Sequence, residues 1–269
     1  INKILKNKYK SIRKMISIVR YNNDDNYTKK ISSVCNARII WGGDNSIGNI
    51  RKFELNRRAL DIAFADRYSF CVMDAQEILK INNSQVQRLV EKFYNDTYLV
   101  DQNACSSPHL ILWLGNQTNG AREKFWKYLY NYVDKKYSLT ETASIEKYTQ
   151  LCSHILSLKN MKQYKRYGNS IYTIQLNNLD KGLHNLRGKW GFFYEYEIND
   201  LNKIKNYINN KYQTLTYFGL NKNVLRNFIL KNQLEGIDRV VPVGQALDIN
   251  FFWDGYDLNK ILSRVVDIR

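Results

Sequence analysis

The chain has 269 residues, enough for one large domain or two smaller ones with a sizeable hydrophobic core. No segment approaches the ~20 consecutive apolar residues of a membrane span, and the start does not resemble a signal peptide, so we expect a cytoplasmic protein. The four cysteines are widely spaced without a CxxC pair, which argues against a zinc site or a disulfide framework.

The net charge of +16 raises the question of nucleic-acid binding. The chain is rich in Asn, Ile, Lys and Tyr, a composition that an AT-rich genome produces. No helix-turn-helix, zinc-finger or RNP-like motif accompanies the charge. We therefore attribute the charge to composition, helped by a need to attract phosphorylated cofactors and acidic partners. A basic nucleic-acid-binding domain is kept as an alternative of another class.

The amino-terminal part alternates predicted helices and strands, as parallel βαβ units do. A basic helix precedes a strand over 15–21, and a helix over 27–33 precedes the strand ARIIWGG. That strand ends in a glycine turn, with Gly42, Gly43 and Gly48, that runs into a helix extending to Ile62. Such a turn presents backbone N–H groups to phosphate, although these glycines do not form GxGxxG and a plain tight turn would look the same.

The strand YSFCVMDA follows, and then a helix that opens with a capping box at Ser84 and Gln87. The apolar positions of this helix have helical spacing and are Val86, Leu89, Val90 and Phe93. We place a domain boundary near residue 80. The chain then divides into a nucleotide-binding part over 1–80 and a catalytic part over 81–269.

The run DQNACSSP, residues 101–108, holds Cys105 in a polar loop of small residues between that helix and the apolar strand HLILWLG. A catalytic thiol must form the thiolate, which electropositive surroundings or a helix end would favour. Ala104, Ser106 and Ser107 leave room for an adduct and offer backbone N–H groups to its oxyanion. The alternative is a structural cysteine. His109 either activates the thiol or is simply packed.

The remaining elements continue the α/β alternation. A helix starts at Thr118, with Phe125 and Leu129 on its inner face, and another starts at a capping box spanning 138–141. Three strands follow, namely SIYTIQL, GFFYEYEI and YQTLTYFGL. A last helix, VLRNFILKNQLEG, is predicted to end at Gly236 as its C′ residue, before the strand RVVPVG and an aromatic tail.

Three segments together resemble a known family. These are the strand and turn IIWGGDNSIGNIRK, the thiol loop DQNACSSPH, and the ending GIDRVVPVGQALDINFFWDGYDL with LSRVVDI. They are similar to the fatty-acyl reductases of bacterial bioluminescence operons, which are acyl-CoA reductases of the aldehyde dehydrogenase superfamily. The resemblance covers nearly the whole chain, from Met15 to Ile268.

The resemblance implies an aldehyde-dehydrogenase-like α/β fold, with part of a Rossmann-type nucleotide domain followed by an α/β catalytic domain that carries the thiol. A long-chain acyl group, from acyl-CoA or a partner acyl-protein, would be transferred to Cys105, and NADPH would reduce the thioester to an aldehyde for luciferase. Gly42, Gly43 and Ser46 would match the superfamily's turn beside the nucleotide. Acyl-protein synthetase and acyl-transferase partners and a homo-oligomer would be expected.

The sequence departs from the superfamily at two points. The stretch DIAFADRY has no clear counterpart of the glutamate with which hydrolytic aldehyde dehydrogenases activate water, which suits an enzyme that must protect its thioester from water. The amino-terminal part, with an oxyanion-binding asparagine, lies outside the chain, so we expect an amino-terminally truncated fragment that is inactive alone. An acyl-CoA reductase of lipid or surface-polysaccharide metabolism is the alternative within the family. A scaffold role in a multienzyme complex, through Trp253 and Tyr256, is another alternative.

Overall fold

The structure, a computed structural model, describes residues 2–22 and 25–269. The chain divides into two compact units between Ala65 and Asp66. The sequence placed the boundary near residue 80 and so assigned the strand at 68–74 to the first domain. That strand is instead hydrogen-bonded on both sides within the sheet of the second unit, which moves the division to its amino-terminal side.

The first unit contains a two-stranded parallel sheet in its described part. Its helices are α1 (Asn2–Lys8), α2 (Lys10–Arg13), α3 (Asp25–Val34) and α4 (Asp44–Arg51), and its strands are β1 (Ala37–Gly42) and β2 (Leu60–Ala65). The strands pair in parallel from Ala37 opposite Leu60 to Gly42 opposite Ala65. A small apolar cluster of Ile40, Ile47 and Ala65 packs α4 on this sheet.

Two sequence predictions are wrong in this unit. Residues 15–21 form no strand in the described structure, and Met15, Ile18 and Val19 are more than 60 % exposed. The predicted helix after the glycine turn stops at Arg51, and the chain then forms β2. Parallel pairing with β1 buries Ile62 and Phe64 of β2, so tertiary contact decides this strand where local pattern did not.

The second unit is built on a sheet of seven described strands in the order β5-β6-β7-β4-β3-β8-β9. These strands are β3 (Tyr68–Asp74), β4 (Pro108–Leu114), β5 (Met161–Tyr167), β6 (Ile171–Leu176), β7 (Phe192–Ile198), β8 (Tyr212–Phe218) and β9 (Arg239–Pro242). All neighbours pair in parallel except β5 with β6. The three strands predicted over this region are confirmed as β6, β7 and β8.

Helices cover both faces of this sheet. They are α5 (Ala75–Lys80), α6 (Asn83–Thr97), α7 (Thr118–Lys136), α8 (Glu141–Ser157) and α9 (Lys222–Lys231). The short α10 (Leu258–Ile261) lies in the tail and buries no residue. One core lies between the sheet and helices α5, α6 and α7 and includes Phe93, Phe125 and Trp126. The other core contains Leu151 of α8 and Phe228 of α9. The near-continuous apolar strands β3 and β4 are buried on both faces, as central parallel strands are.

The helix termini differ from the sequence prediction by a few residues. The capping box of α6 is formed by Asn82 and Gln85, two residues before the predicted pair. The N-cap of α8 is Thr140, whose side chain accepts from Ala143 N. Helix α9 ends at Lys231 with Asn232 as its C-cap, five residues before Gly236. Several Ser, Thr and Asn side chains compete to cap each end, and the sequence does not rank them.

The carboxyl-terminal tail forms a small hairpin. Strands β10 (Phe252–Trp253) and β11 (Tyr256–Asp257) are antiparallel and joined by Asp254 and Gly255, which both have positive φ, 52° and 79°. An Asp-Gly pair with these angles is the favoured two-residue hairpin turn. Among the described residues, no helix is both long and apolar enough to cross a membrane.

Candidate active site

Cys105 lies in the thiol loop, which we define as residues 101–107, between the 3₁₀ turn Tyr98–Val100 and strand β4. Because β3, β4, β7 and β8 run parallel, their amino ends meet at one edge of the sheet. The thiol loop enters β4 at this edge. The cysteine is partly buried and is not in a disulfide.

The thiol loop is fixed to strand β7 by the buried amide of Gln102. Its Nε2 donates to Pro108 O at 3.0 Å and to Phe192 O at 3.1 Å. Its Oε1 accepts from Gly191 N at 3.1 Å and from Phe192 N at 3.2 Å. Both donors and both lone pairs of the amide are therefore used. Asp101 and Gln102 have φ of 53° and 60°, a left-handed pair that turns the chain into the loop.

Ser69 of β3 fixes the other side of the loop. Its hydroxyl donates to Cys105 O at 2.6 Å, and its oxygen accepts from Thr214 N of β8 at 3.1 Å. Ser107 Oγ donates to Asp96 O at the end of α6, at 2.7 Å. The thiol loop is thus held by hydrogen bonds to three elements, namely β3, β7 and the end of α6.

Two bulges flank Ser69. Between Ser69 and Phe70 of β3, strand β4 inserts an extra residue, since Ser69 pairs with Pro108 and Phe70 with Leu110. Strand β8 also has one residue more than β3 between Tyr212 and Leu215. Bulges redirect side chains and are common beside active sites. The bulge of β8 contains Gln213.

The surroundings of the Cys105 thiol raise its pKa, which differs from the electropositive environment that a nucleophile was expected to have. Burial is the largest cause, and the carboxylates of Asp254 and Asp66 add to it. A side-chain hydrogen bond with Gln213 acts in the opposite direction and lowers the thiol pKa. At neutral pH the thiol form therefore predominates, and the amide is the main group that favours the thiolate.

The backbone N–H of Ser107, one of those expected to face an oxyanion, donates to Ala104 O at 2.9 Å. It closes a turn inside the loop and is not available to a ligand, so this part of the prediction is wrong. Ser106 and Ser107 are both buried, which shows that the small residues pack the loop against the sheet.

The stretch DIAFADRY places two acids in defined contacts. Asp61 on β2 accepts from Arg38 at 2.5 Å within the first unit. Asp66 accepts from Arg187 Nη1 at 2.8 Å, and its charge acts on the Cys105 thiol through space. Each carboxylate is thus in an ion pair.

His109 is the inserted residue of the β4 bulge. Its ring is buried and stacks on Tyr68, with 5.5 Å between the ring centroids. Burial and the nearby Arg187 cation lower the pKa of His109 to about 3. A backbone hydrogen bond at Gly188 acts in the opposite direction and raises that pKa. Its Nδ1 has no hydrogen-bond partner among the described residues. These contacts favour the packed alternative over the base.

The glycine turn lies in the first unit and is described separately. Strand β1 ends at Gly42, and Gly43 is the N-cap of α4 in extended conformation. The first intrahelical bond runs from Ile47 N to Gly43 O at 3.0 Å. The N–H groups of Asn45 and Ser46 precede this bond, in the first turn, where the helix supplies no carbonyl acceptor.

The space at this turn suits a phosphate group. A Cβ built on Gly43 meets no described atom within 4 Å, whereas one on Gly42 would lie 3.3 Å from Ser46 Cβ. The open side of Gly43 allows close approach of an anion to the helix N-terminus. The carboxylate of Asp44 in the first turn opposes the anion. Gly48, in the middle of α4, is not part of the turn.

The carboxyl-terminal motif is anchored beside the same sheet edge. Asp96 accepts from Gly244 N at 2.6 Å and from Ala246 N at 2.9 Å. Arg239 donates from Nη1 to Ala246 O at 2.8 Å and stacks on Trp253, 4.3 Å from the ring centroid. Trp253, one of the two residues considered for a scaffold contact, is therefore buried within its own unit, whereas Phe251 and Phe252 of the tail are exposed.

Sequence reasoning missed three residues that act on Cys105: Ser69, which donates to its carbonyl oxygen, and Gln213 and Asp254, which act on the pKa of its thiol. Ser69 and Gln213 lie inside strands without any local signal, because only the register of β3, β4 and β8 brings them to Cys105. Asp254 did carry a signal, since Asp-Gly flanked by aromatic residues is typical of a hairpin turn.

Comparison with known proteins gives concordant results. The profile of the family described as acyl-CoA reductase (LuxC) matches residues 2–264. No curated protein sequence matches significantly.

Among solved structures, the chain is similar to aldehyde dehydrogenase 21 from Physcomitrella patens in complex with succinate, with a TM-score of 0.58 and 12 % identity over 86 % of this chain and 49 % of the other. It is also similar to an NAD-dependent aldehyde dehydrogenase from Sinorhizobium meliloti, with a TM-score of 0.56 and 8 % identity over 81 % and 45 %. A benzaldehyde dehydrogenase from Corynebacterium glutamicum has a TM-score of 0.53 at 8 % identity over 81 % and 48 %.

The chain spans less than half the length of these structures. At such low identity the likeness shows the fold, which is that of aldehyde dehydrogenases. Because the family profile covers nearly the whole sequence, the chain belongs to the acyl-CoA reductase (LuxC) family.

Proposed function

We propose that this protein reduces a long-chain acyl thioester to an aldehyde through an acyl group carried on Cys105. The observation that supports this most strongly is the thiol loop itself, in which Gln102 and Ser69 hold the main chain of a partly buried cysteine from two sides. A rigid main chain places the nucleophile at a fixed point before substrate arrives.

In the first half-reaction, the Cys105 sulfur bonds to the carbonyl carbon of the acyl donor and loses its proton. The bond from that carbon to the donor's sulfur then breaks, and the donor leaves as a thiol that takes up one proton. The raised pKa of Cys105 means that the proton must be removed during attack.

The second half-reaction needs a hydride donor, and we propose NADPH, which supplies the hydride when bound. Gly42, Gly43 and the backbone N–H groups of Asn45 and Ser46 would hold its phosphate groups. After hydride addition to the thioester carbon, the carbon–sulfur bond breaks, the aldehyde leaves, and Cys105 regains a proton. One acyl thioester, one NADPH and one proton thus give one aldehyde, one thiol and NADP⁺.

The acylation step is tested by incubating the protein with tetradecanoyl-CoA and measuring acylated peptides by mass spectrometry. We expect the acyl group on Cys105 and its loss in Cys105→Ser. Cys152→Ser is the matched control, because Cys152 is also a partly buried free thiol and lies on α8. Acylation that persists in Cys105→Ser, or that needs Cys152, would overturn the proposal.

We further propose that the aldehyde supplies luciferase, that acyl groups arrive from acyl-protein synthetase and acyl-transferase partners, and that the protein works as a homo-oligomer. Aldehyde formation from acyl-CoA donors of C6 to C18, coupled to bacterial luciferase, tests the first point. A preference for short acyl chains, without light, would instead favour the alternative in lipid or polysaccharide metabolism.

A further inference from the structure

Strand β5 is the terminal strand of the seven-stranded sheet and is exposed on both faces. In the described part of the chain it pairs with β6 on one side and with no strand on the other, so alternate N–H and C=O groups face outward. Lys165 Nζ lies 3.8 Å from Glu123 Oε1 of α7, whereas the Arg166 guanidinium lies over the Tyr148 ring of α8. Successive side chains therefore project toward the two helix layers, and the outer side of β5 is open to a further strand.

The segment 159–166, which we call the basic edge, holds four cations and no acid. The cations are Lys159, Lys162, Lys165 and Arg166. The ion pair of Lys165 with Glu123 joins two exposed side chains and is therefore weak. Like charges that face each other across two strands oppose their pairing, and cations on an edge strand are a known defence against self-association. The basic edge thus disfavours a second copy of itself and favours an acidic partner.

Helix α8 has two apolar stripes, of which one, with Ala143 and Leu151, is buried. The second stripe spans an arc of about 100° on the neighbouring side of the helix, and its residues are between 38 % and 88 % exposed. We call it the outer stripe, and it consists of Ile145, Tyr148, Ile155 and Leu156. Contiguous exposed apolar side chains mark interaction surfaces.

The outer stripe and the basic edge form one continuous surface. The Arg166 guanidinium lies 5.2 Å from the ring centroid of Tyr148 in the stripe and 4.8 Å from that of Tyr172 in β6. Tyr164, which projects from the same side of β5 as Arg166, is 48 % exposed. A strand added to β5 would therefore place the side chains of one of its faces beside Tyr164 and the outer stripe.

We propose that the basic edge and the outer stripe form a docking surface for an acidic segment of another protein, which adds to β5 as an extended strand. Its carboxylates would pair with Lys162, Lys165 and Arg166, and its apolar side chains would cover the stripe. Nucleic acid would match the charge but would leave the aliphatic side chains of Ile145 and Leu156 in water, so the surface favours protein. The inference goes beyond the proposed reaction and does not depend on it.

One end of this docking surface lies at the sheet edge that carries the thiol loop. Strand β5 is antiparallel to β6, so that Tyr167, at its carboxyl end, pairs with Ile171 at the amino end of β6. Tyr98 Oη, just before the thiol loop, donates to Ser170 O at 3.1 Å. A segment added to β5 would lie four strand spacings, about 19 Å, from β4. The docked segment would thus end near the edge at which Cys105 lies.

The test measures the fluorescence anisotropy of labelled short peptides titrated with the full chain. A peptide in which glutamate alternates with valine should bind with a Kd below about 1 mM, and a peptide with lysine in place of glutamate should not. A third peptide, in which proline replaces two of the valines, keeps the charge but cannot pair as a strand. It should bind about tenfold more weakly than the first.

Variants of the chain separate this surface from the general positive charge. Lys162→Glu combined with Lys165→Glu should weaken binding of the acidic peptide at least about tenfold, because both side chains would then repel it. Lys203→Glu combined with Lys205→Glu is the matched control, since it reverses two exposed cations on the 3₁₀ segment Leu201–Tyr207, and it should change binding little. Urea unfolding checks that all variants fold.

The outer stripe is tested in the same way. Ile145→Ser combined with Leu156→Ser should weaken binding of the acidic peptide severalfold, because the valines lose their apolar contacts. Both side chains are exposed, so the substitutions should leave the unfolding free energy nearly unchanged.

Five results would overturn the inference. They are no binding of the acidic peptide, equal binding of the proline peptide, and an equal effect of the two lysine pairs. The fourth is a single-stranded oligothymidylate that binds more tightly than the acidic peptide and is lost in Lys162→Glu with Lys165→Glu, which would indicate nucleic acid. The fifth is a dimer, seen by analytical ultracentrifugation, that the same variant abolishes, which would indicate a second copy. Acylation of Cys105 should be unchanged in these variants, so failure here is distinct from failure of the proposed function.

Discussion

The thiol loop and the glycine turn both lie at strand ends, yet they are built in different ways. The thiol loop is fixed by side chains from distant parts of the chain, such as Gln102 to Phe192 and Ser69 to Cys105. The glycine turn is defined by adjacent residues, with Gly43 open to approach from outside. The site proposed for covalent chemistry is thus held by distant contacts, while the site proposed for a cofactor that enters and leaves stays accessible at Gly43.

The strongest test of this contrast is a methyl group added beside the thiol loop. Gly191 has a φ of 80°, and a Cβ there would lie 2.2 Å from Tyr98 Oη and 2.4 Å from Ser170 O. We expect Gly191→Ala to destabilise the protein by more than about 4 kcal/mol, measured by urea unfolding. A loss of unfolding free energy below about 1 kcal/mol would show that Tyr98 and Ser170 can move aside at little cost.

Removing the amide that fixes the loop should have the next largest effect. Gln102→Ala removes four hydrogen bonds in the interior, although Phe192 N still donates to Lys189 O, and we expect a loss of about 3 kcal/mol in unfolding free energy. The Cys105 thiol should also become more exposed, so that its alkylation is faster. Gln87→Ala on exposed α6 surface is the matched control and should be nearly neutral.

Asp96 should make stability depend on pH. Burial raises its pKa to about 7, even though Gly244 and Ala246 donate to it. The folded state then binds a proton that the unfolded state, with a pKa near 3.9, has released, so stability falls as pH rises from about 4 to 7. Between pH 5 and pH 7 the loss is about 2 kcal/mol, and urea unfolding at these two pH values should show it in the unmodified chain but not in Asp96→Asn. Stability that rises over this range through Asp96 would contradict the prediction.

At the glycine turn the same methyl addition should barely affect folding. Gly43→Ala adds its Cβ to open space at an N-cap, so we expect a change of about 0.5 kcal/mol in unfolding free energy. The Cβ would, however, stand where a phosphate approaches, and NADPH binding by titration should weaken severalfold. Unchanged binding would argue against this turn as the cofactor site.

The elements that the sequence predicted well are those whose pattern is local. The apolar spacing of Val86, Leu89 and Phe93 predicted α6, and all three residues are buried. The apolar segments that form β4 and β8 are long enough to be predicted as strands without knowledge of the strands with which they pair. Strand β2 was missed, because its pairing with β1 and not its local pattern makes it a strand.

By itself, the sequence determined the α/β class, the position of Cys105 in a loop before a buried strand, and the family, since these depend on contiguous motifs. Only the tertiary structure decided what surrounds the sulfur. Parallel pairing of β3 with β4 and β8, with a bulge on each side, brings Ser69, Gln213 and Asp254 together from three distant segments. Register and hairpin docking depend on packing across the whole unit, and no local pattern specifies them.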